Sequence, residues 1–73
     1  ALLGLGKAAD AVTVFERATR DAPGSANAWD SLGEAQAAAG RKADALRSYR
    51  RSLELDPKND NAREQVEKLS QAR

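Results

Sequence analysis

At 73 residues, with twelve basic against eleven acidic side chains, a net charge of +1 and neither cysteine nor histidine, the chain is tightly bounded before any pattern is read. It has room for one small domain but no disulfide staple, no Cys/His zinc set and no imidazole for general-base or metal chemistry, so no metal or cofactor is expected. The balanced charge gives no global pull towards nucleic acid or an acidic membrane surface, and no apolar run approaches the roughly 20 residues that span a bilayer.

The chain opens on Ala1-Leu2-Leu3-Gly4-Leu5, too short for a signal-peptide core and without a basic leader. There is no initiating Met, and these residues read as the remnant of a helix at about 1–5. The N-terminus is therefore expected to be a cut, with more of a parent protein ahead of it. After a turn at Gly6, a helix is expected over about 8–21, with Ala8, Ala11, Val12, Phe15 and Ala18 on one stripe and Asp10, Arg17 and Arg20 largely off it. Pro23 stops it. Ser25 has the chemistry of an N-cap for a helix over about 25–39, whose Ala28, Trp29, Leu32 and Ala35 fall at spacings of three and four. A third helix at about 42–55 carries Leu46, Tyr49 and Leu53, widened by Ala45 and Ser52. Asn59 occupies the capping place before a last helix at about 60–72, where Ala62, Val66 and Leu69 make a narrow stripe. β-Branched residues are few and no period-two alternation persists, so no strand is expected. The connections are short, which makes successive helices antiparallel neighbours.

The punctuation repeats with a period of 34 residues: Gly6 falls on Gly40, Asp10 on Asp44, Ala11 on Ala45, Phe15 on Tyr49, Ala18 on Ser52 and Pro23 on Pro57. Within the second copy, Trp29-x2-Leu32-Gly33, then Ala45-x3-Tyr49, then Pro57 resembles the tetratricopeptide repeat (TPR) signature in residue type and spacing, and the run Ser52 to Pro57 resembles the usual close of such a repeat. The resemblance implies an all-α fold, a right-handed superhelix of antiparallel helix pairs. Residues 1–25 would be a truncated first repeat, 26–59 a complete one and 60–73 a C-terminal capping helix. Gly33 and Ala45 are small enough to let the two helices of a repeat approach closely. Trp29, Leu32 and Tyr49 fill the space between helices, Trp29 mostly buried, and Pro57 turns the chain onward. In the last unit Arg63 and Glu67 stand where Trp29 and Gly33 stood, the sequence of a cap with one face for the array and the rest for water. Gln36 and Lys42 replace bulkier apolar residues, so the Gly40 end of the hairpin should be thinly packed. Thr19 and Asp21 stand where the second copy has Leu53 and Leu55.

TPR modules bind extended peptides or partner helices on the concave face made by the first helix of each repeat. By resemblance the ligand-facing positions are Asn27, Asp30, Ser31, Glu34, Ala37 and Ala38, with Asn61, Glu64, Gln65 and Lys68 from the cap. Independently, Asn27, Asp30, Ser31, Glu34 and Ala38 share a helical face away from Leu32. Asp30 and Glu34 have the wrong sign to clamp a peptide's terminal carboxylate, which points to a basic or neutral ligand. Their bland reading is as solvated acids in the first half of a helix, where the macrodipole favours them. As an i, i+4 carboxylate pair they have neither the desolvation nor the third group that acid–base catalysis needs. The basic cluster Arg41, Lys42, Arg47, Arg50 and Arg51 is interrupted by Asp44, Glu54 and Asp56 and has no exposed aromatic for stacking on bases. It reads as a solvated face, with Arg50 and Glu54 one turn apart as a pair.

The function expected is thus a non-catalytic scaffold for protein or peptide partners, with neither nucleic acid nor membrane as a partner. The alternative is a C-terminal appendage of a larger enzyme, such as a bacterial serine hydrolase. Abundant Ala and Arg point to a bacterial source, and the sequence assigns no compartment. The leading Leu2, Leu3 and Leu5, backed by Ala8, Val12 and Phe15, are expected to drive self-association through an uncapped edge.

Overall fold

The computed structural model describes the backbone of residues 2–71 and the side chains of residues 7–71. It is all-α: four helices, α1 (Leu2–Asp21), α2 (Ala26–Ala38), α3 (Lys42–Leu55) and α4 (Asp60–Gln71), with no strand among the described residues. Three of the four follow the periodicity of the sequence to within a residue or two. The first does not, because the expected break at Gly6 is absent and α1 is continuous through Gly4 and Gly6. A glycine inside a helix costs only about 1 kcal/mol relative to alanine, and it ends a helix only by taking a positive φ. Gly40 does so, at φ +82°. There the Arg41 N–H donates to the Gln36 carbonyl at 2.8 Å and the Gly40 N–H to that of Ala37 at 3.1 Å, the paired bonds of a Schellman stop.

Both caps expected at helix N-termini form. The Ala28 N–H donates to Ser25 Oγ at 3.3 Å and the Ala62 N–H to Asn59 Oδ1 at 3.2 Å, each satisfying a backbone donor that the helix leaves free. With turns this short, the helices zigzag: α2 packs on α1 and α3, and α4 packs on α3.

Two clusters hold the stack. Val12, Leu32 and Ala35 join α1 to α2, with Ala11, Phe15, Trp29 and Ala39 against them. Ala45, Tyr49 and Ala62 join α3 to α4, with Ala37, Leu53, Val66 and Leu69 against them. Small residues at the crossings, Gly33, Ala45 and Ala62, are what allow close helix approach in a chain with three aromatic residues. At the C-terminal end, Arg63, Glu67 and Lys68 are exposed around Ala62, the arrangement expected of a helix with one buried face.

Several expectations need refinement or correction. Trp29 is buried for the most part, as expected, but not completely: it packs at the side of the α1–α2 cluster, and its indole N–H donates to the Pro23 carbonyl at 3.0 Å. That bond pins the preceding turn. Gln36 does not leave a thin seam: it is buried, and its Oε1 accepts the Ser48 hydroxyl at 2.5 Å. Lys42 stays exposed. Thr19 is buried with its hydroxyl donating to the Glu16 carbonyl at 2.8 Å, while Asp21 is exposed. The side chains of Leu2, Leu3 and Leu5 lie outside the described residues. Of the residues expected to back them, Ala8 and Val12 are buried, Val12 against α2, and only Phe15 is partly open.

Candidate functional site

The residues singled out for ligand contact fall on α2 and α4, which meet through one polar junction. Asp30, in the second turn of α2, is half-buried. Its Oδ2 accepts from Asn59 Nδ2 at 2.9 Å, and its two oxygens accept from Asn61 Nδ2 at 3.0 and 3.3 Å. Asp30 is therefore no freely solvated acid; two amides from the start of α4 hold it. Asn59 also donates to Ser52 Oγ at 3.0 Å while capping α4. Ser52, fully buried on α3, donates in turn to the Ala26 carbonyl at 2.8 Å. The network ties α2, α3 and α4 at one point and leaves no buried side-chain polar atom without a partner among the described residues.

Around this junction the other residues separate. Glu64 and Lys68 pair across one turn of α4 at 3.6 Å, both largely exposed, so their mutual attraction is weak. Asn27 stands exposed in the first turn of α2, and Gln65 is half-buried on α4. Ser31, Glu34 and Ala38 lie on the far flank of α2, where with Ala8, Ala11 and Phe15 of α1 they line an open groove of about 440 Å³. The positions thus form two adjoining surfaces, a polar one on α2 and α4 and a more apolar one between α1 and α2.

Beneath the polar surface lies Tyr49, 2% exposed against Gly33. Its phenol is pushed up from 10 to about 12, first by burial and then by the negative charge of Asp30 and Glu34. It stays neutral through the physiological range. The structural residues Leu32 and Ala45 are buried as the signature requires, and Pro57 stands in the exposed turn after α3.

A second open groove, of about 430 Å³, was not anticipated. Trp29, Leu32 and the Gln36–Ser48 pair line it, with Glu16, Arg20, Asp44 and Arg47 around them. Arg47 is turned onto Asp44, and Arg51 pairs with Glu54 at 2.9 Å, so Glu54 takes Arg51 and not Arg50 as its partner. The multiple role of Asn59 was also missed. The signal was present: the 34-residue slide sets Asn59 on Ser25, and an amide offers two N–H donors beyond the cap that a serine supplies.

Among the described residues there is no group of three His, Cys, Asp or Glu side chains placed to hold a metal ion, and no helix is long and apolar enough to cross a membrane. A family model for the tetratricopeptide repeat matches residues 1–60. The chain is similar to Superkiller protein 3 of Schizosaccharomyces pombe, at 45% identity over 47 residues. That stretch is 64% of this chain and 3% of that protein, so the chain spans a small part of the relative it matches. No solved structure matches.

Proposed function

Since the chain belongs to the tetratricopeptide repeat family, we propose that it is a non-catalytic interaction module that takes a basic or neutral peptide, or the basic face of a partner helix, on the surface built by α2 and α4. The family is one of protein–protein interaction modules, and the finer reading comes from charge and geometry. In this reading residues 1–25 are part of a first repeat, 26–59 a complete one and 60–73 a cap.

The carrying observation is the Asp30 junction. The amides of Asn59 and Asn61 fix α2 against α4, which makes a preorganised surface and lowers the ordering cost of binding. Glu64 on α4 and Glu34, on the flank of α2 that borders the α1–α2 groove, are exposed acids, and Lys68 already pairs with Glu64. A cationic ligand meets complementary potential there, and a peptide's terminal carboxylate meets repulsion. Absence of catalysis accords with the same geometry. Asp30 is occupied as a hydrogen-bond acceptor and Glu34 is exposed, so neither is a desolvated acid facing a base.

Titrating matched basic, neutral and acidic peptides into the chain tests this. Basic or neutral peptides should bind, with Glu34→Gln and Glu64→Gln each weakening the basic one. Preference for a free acidic C-terminus would overturn the reading.

A further inference from the structure

One flank of α1 and one of α3 face each other across α2, and the open groove of about 430 Å³ between them has two chemically different ends. Trp29 floors the end nearer the Pro23 turn, where the bond to the Pro23 carbonyl fixes its indole and leaves part of the ring open. Gln36 floors the other end, beside Asp44, Arg47 and Ser48 in the first two turns of α3. Seven helical residues separate Trp29 from Gln36, about 10 Å at 1.5 Å per residue, and Leu32 lies between them. The groove is not an end of the stack. Glu16 and Arg20, its exposed residues on α1, stand more than a quarter-turn round that helix from Phe15. A further helix laid along Ala11 and Phe15 would therefore leave it open.

The Gln36 end is rich in hydrogen-bond donors. Gln36 is 7% exposed, and its Oε1 is taken by the Ser48 hydroxyl. Its Nε2 bonds none of the described residues, yet no sealed side-chain polar atom among them lacks a partner. This nitrogen therefore opens on the groove with two N–H donors to spare. Arg47 spends one of its five N–H groups on Asp44, and an ion pair so exposed is weak. α3 also starts here without a side-chain cap, at Arg41 and Lys42, both exposed. Its free backbone N–H groups and its macrodipole make this end electropositive, and three basic side chains stand there against the single acid Asp44. At the Trp29 end Glu16 and Arg20 are one turn apart and offset each other, so the indole and Leu32 set the chemistry.

We propose that this groove docks an extended acidic segment of a partner protein, which sets a Glu or Asp carboxylate on the Gln36 amide and Arg47, and an apolar side chain on Trp29 and Leu32. The carboxylate is the acceptor that a donor-rich floor requires, and its charge matches the uncapped start of α3. An extended chain rises about 3.3 Å per residue, so a span of about 10 Å sets the two contacting residues three positions apart. The groove is separate from the α2–α4 face and does not depend on what that face binds.

Trp29 is the one tryptophan of the chain, so its fluorescence reports on the groove directly. The test titrates short peptides in the orders Leu-Ser-Ser-Glu and Glu-Ser-Ser-Leu into the full chain, with both ends blocked so that no terminal carboxylate takes part. One of the two should change the Trp29 emission saturably below about 1 mM. Replacing its Glu by Gln, or moving the Glu next to the Leu, should weaken binding at least about fivefold, as should Arg47→Glu in the chain. The Arg47 side chain is 77% exposed, so that variant keeps the fold. Glu64→Gln, on the α2–α4 face, should change nothing. No saturation with either order, or indifference both to the loss of the peptide's acid and to Arg47→Glu, would overturn the proposal. So would tighter binding of a single-stranded oligonucleotide that Arg47→Glu also weakens, which would make nucleic acid the occupant.

Discussion

Gly33 lies flat against the ring of Tyr49: a Cβ built on Gly33 would stand 3.0 Å from both Cδ2 and Cε2 and 3.1 Å from Cδ1. The ring has little room to retreat, because Tyr49 is 2% exposed and packs with Ala45 and Ala62, both fully buried. Gly33→Ala sets two effects against each other. Helix propensity gains about 1 kcal/mol, while forcing the ring aside in a close-packed seam costs roughly 1–3 kcal/mol. The seam is tight on both sides, so net destabilisation is expected, read as a lower urea midpoint. Adding Tyr49→Leu should recover part of the loss, and a stabilised Gly33→Ala single variant would contradict the packing described.

Alkaline pH should unfold the chain through the same tyrosine. The Tyr49 phenol is pushed up from 10 to about 12 in the folded state, by burial first and by Asp30 and Glu34 second. Above pH 10 the unfolded chain therefore releases this proton while the folded chain retains it. Stability from this source is full below pH 10 and is lost as pH rises towards about 12, at about 1.4 kcal/mol per pH unit. Tyr49→Phe should flatten that decline. Glu34→Gln should lower the midpoint of phenolate absorbance at 295 nm, because it removes a nearby negative charge; an unmoved midpoint would contradict the charge contribution.

Trp29 acts through two separable contacts, packing beside Val12 and Leu32 and the bond from its indole to the Pro23 carbonyl. Being partly open, it should contribute less than a fully enclosed tryptophan: Trp29→Ala is expected to cost about 2–3 kcal/mol, below the upper range for buried aromatics. Trp29→Phe, which keeps most packing and loses the bond, should cost about 1 kcal/mol. Chemical denaturation of both variants separates the two. Equal losses would assign the whole effect to the hydrogen bond.

That tryptophan also shows what the sequence could and could not convey. Its spacing to Leu32 and Gly33 marked the α2–α3 hairpin, and small residues at regular intervals marked the crossings, because helix period and side-chain size are local properties. What a hydrogen bond does across a turn is not local. At the position 34 residues on, Arg63 donates to the Pro57 carbonyl at 3.1 Å as Trp29 does to Pro23 at 3.0 Å. An indole and a guanidinium, opposite in any hydrophobic pattern, perform one task. Gly6 failed for the complementary reason. It matches Gly40 in the repeat, yet whether a glycine stops a helix depends on the φ it adopts, and residues on both sides of Gly6 continue the helix. For the candidate site, helical facing put Asp30 forward and the family resemblance put Asn61 forward, but their contact across α2 and α4 was not legible in the sequence.

Asn59 is where the largest effect of a small change is expected. One amide performs three tasks: its oxygen caps α4 by accepting from Ala62, and its nitrogen donates to Asp30 at 2.9 Å and to Ser52 at 3.0 Å. Asn59→Ala removes the cap, at about 1 kcal/mol, and strips one donor each from Asp30 and Ser52. Asp30 keeps Asn61 as a partner, and Ser52 keeps its own bond to Ala26. A total near 2 kcal/mol is therefore expected. Asn59→Asp retains the capping oxygen and is nearly isosteric, so on geometry alone it should be milder. Electrostatics reverses that order. A second carboxylate would face Asp30 across a former hydrogen bond, and like charges at such distance cannot both ionise without penalty. At neutral pH, Asn59→Asp should thus be the less stable of the two variants. On acidification, protonation of one carboxyl lets the pair share a proton, and the gap between the variants should close or invert. Urea midpoints of both at pH 7 and pH 3.5 give the answer. An Asn59→Asp chain as stable as the parent at pH 7 would show that Asn59 does not face Asp30.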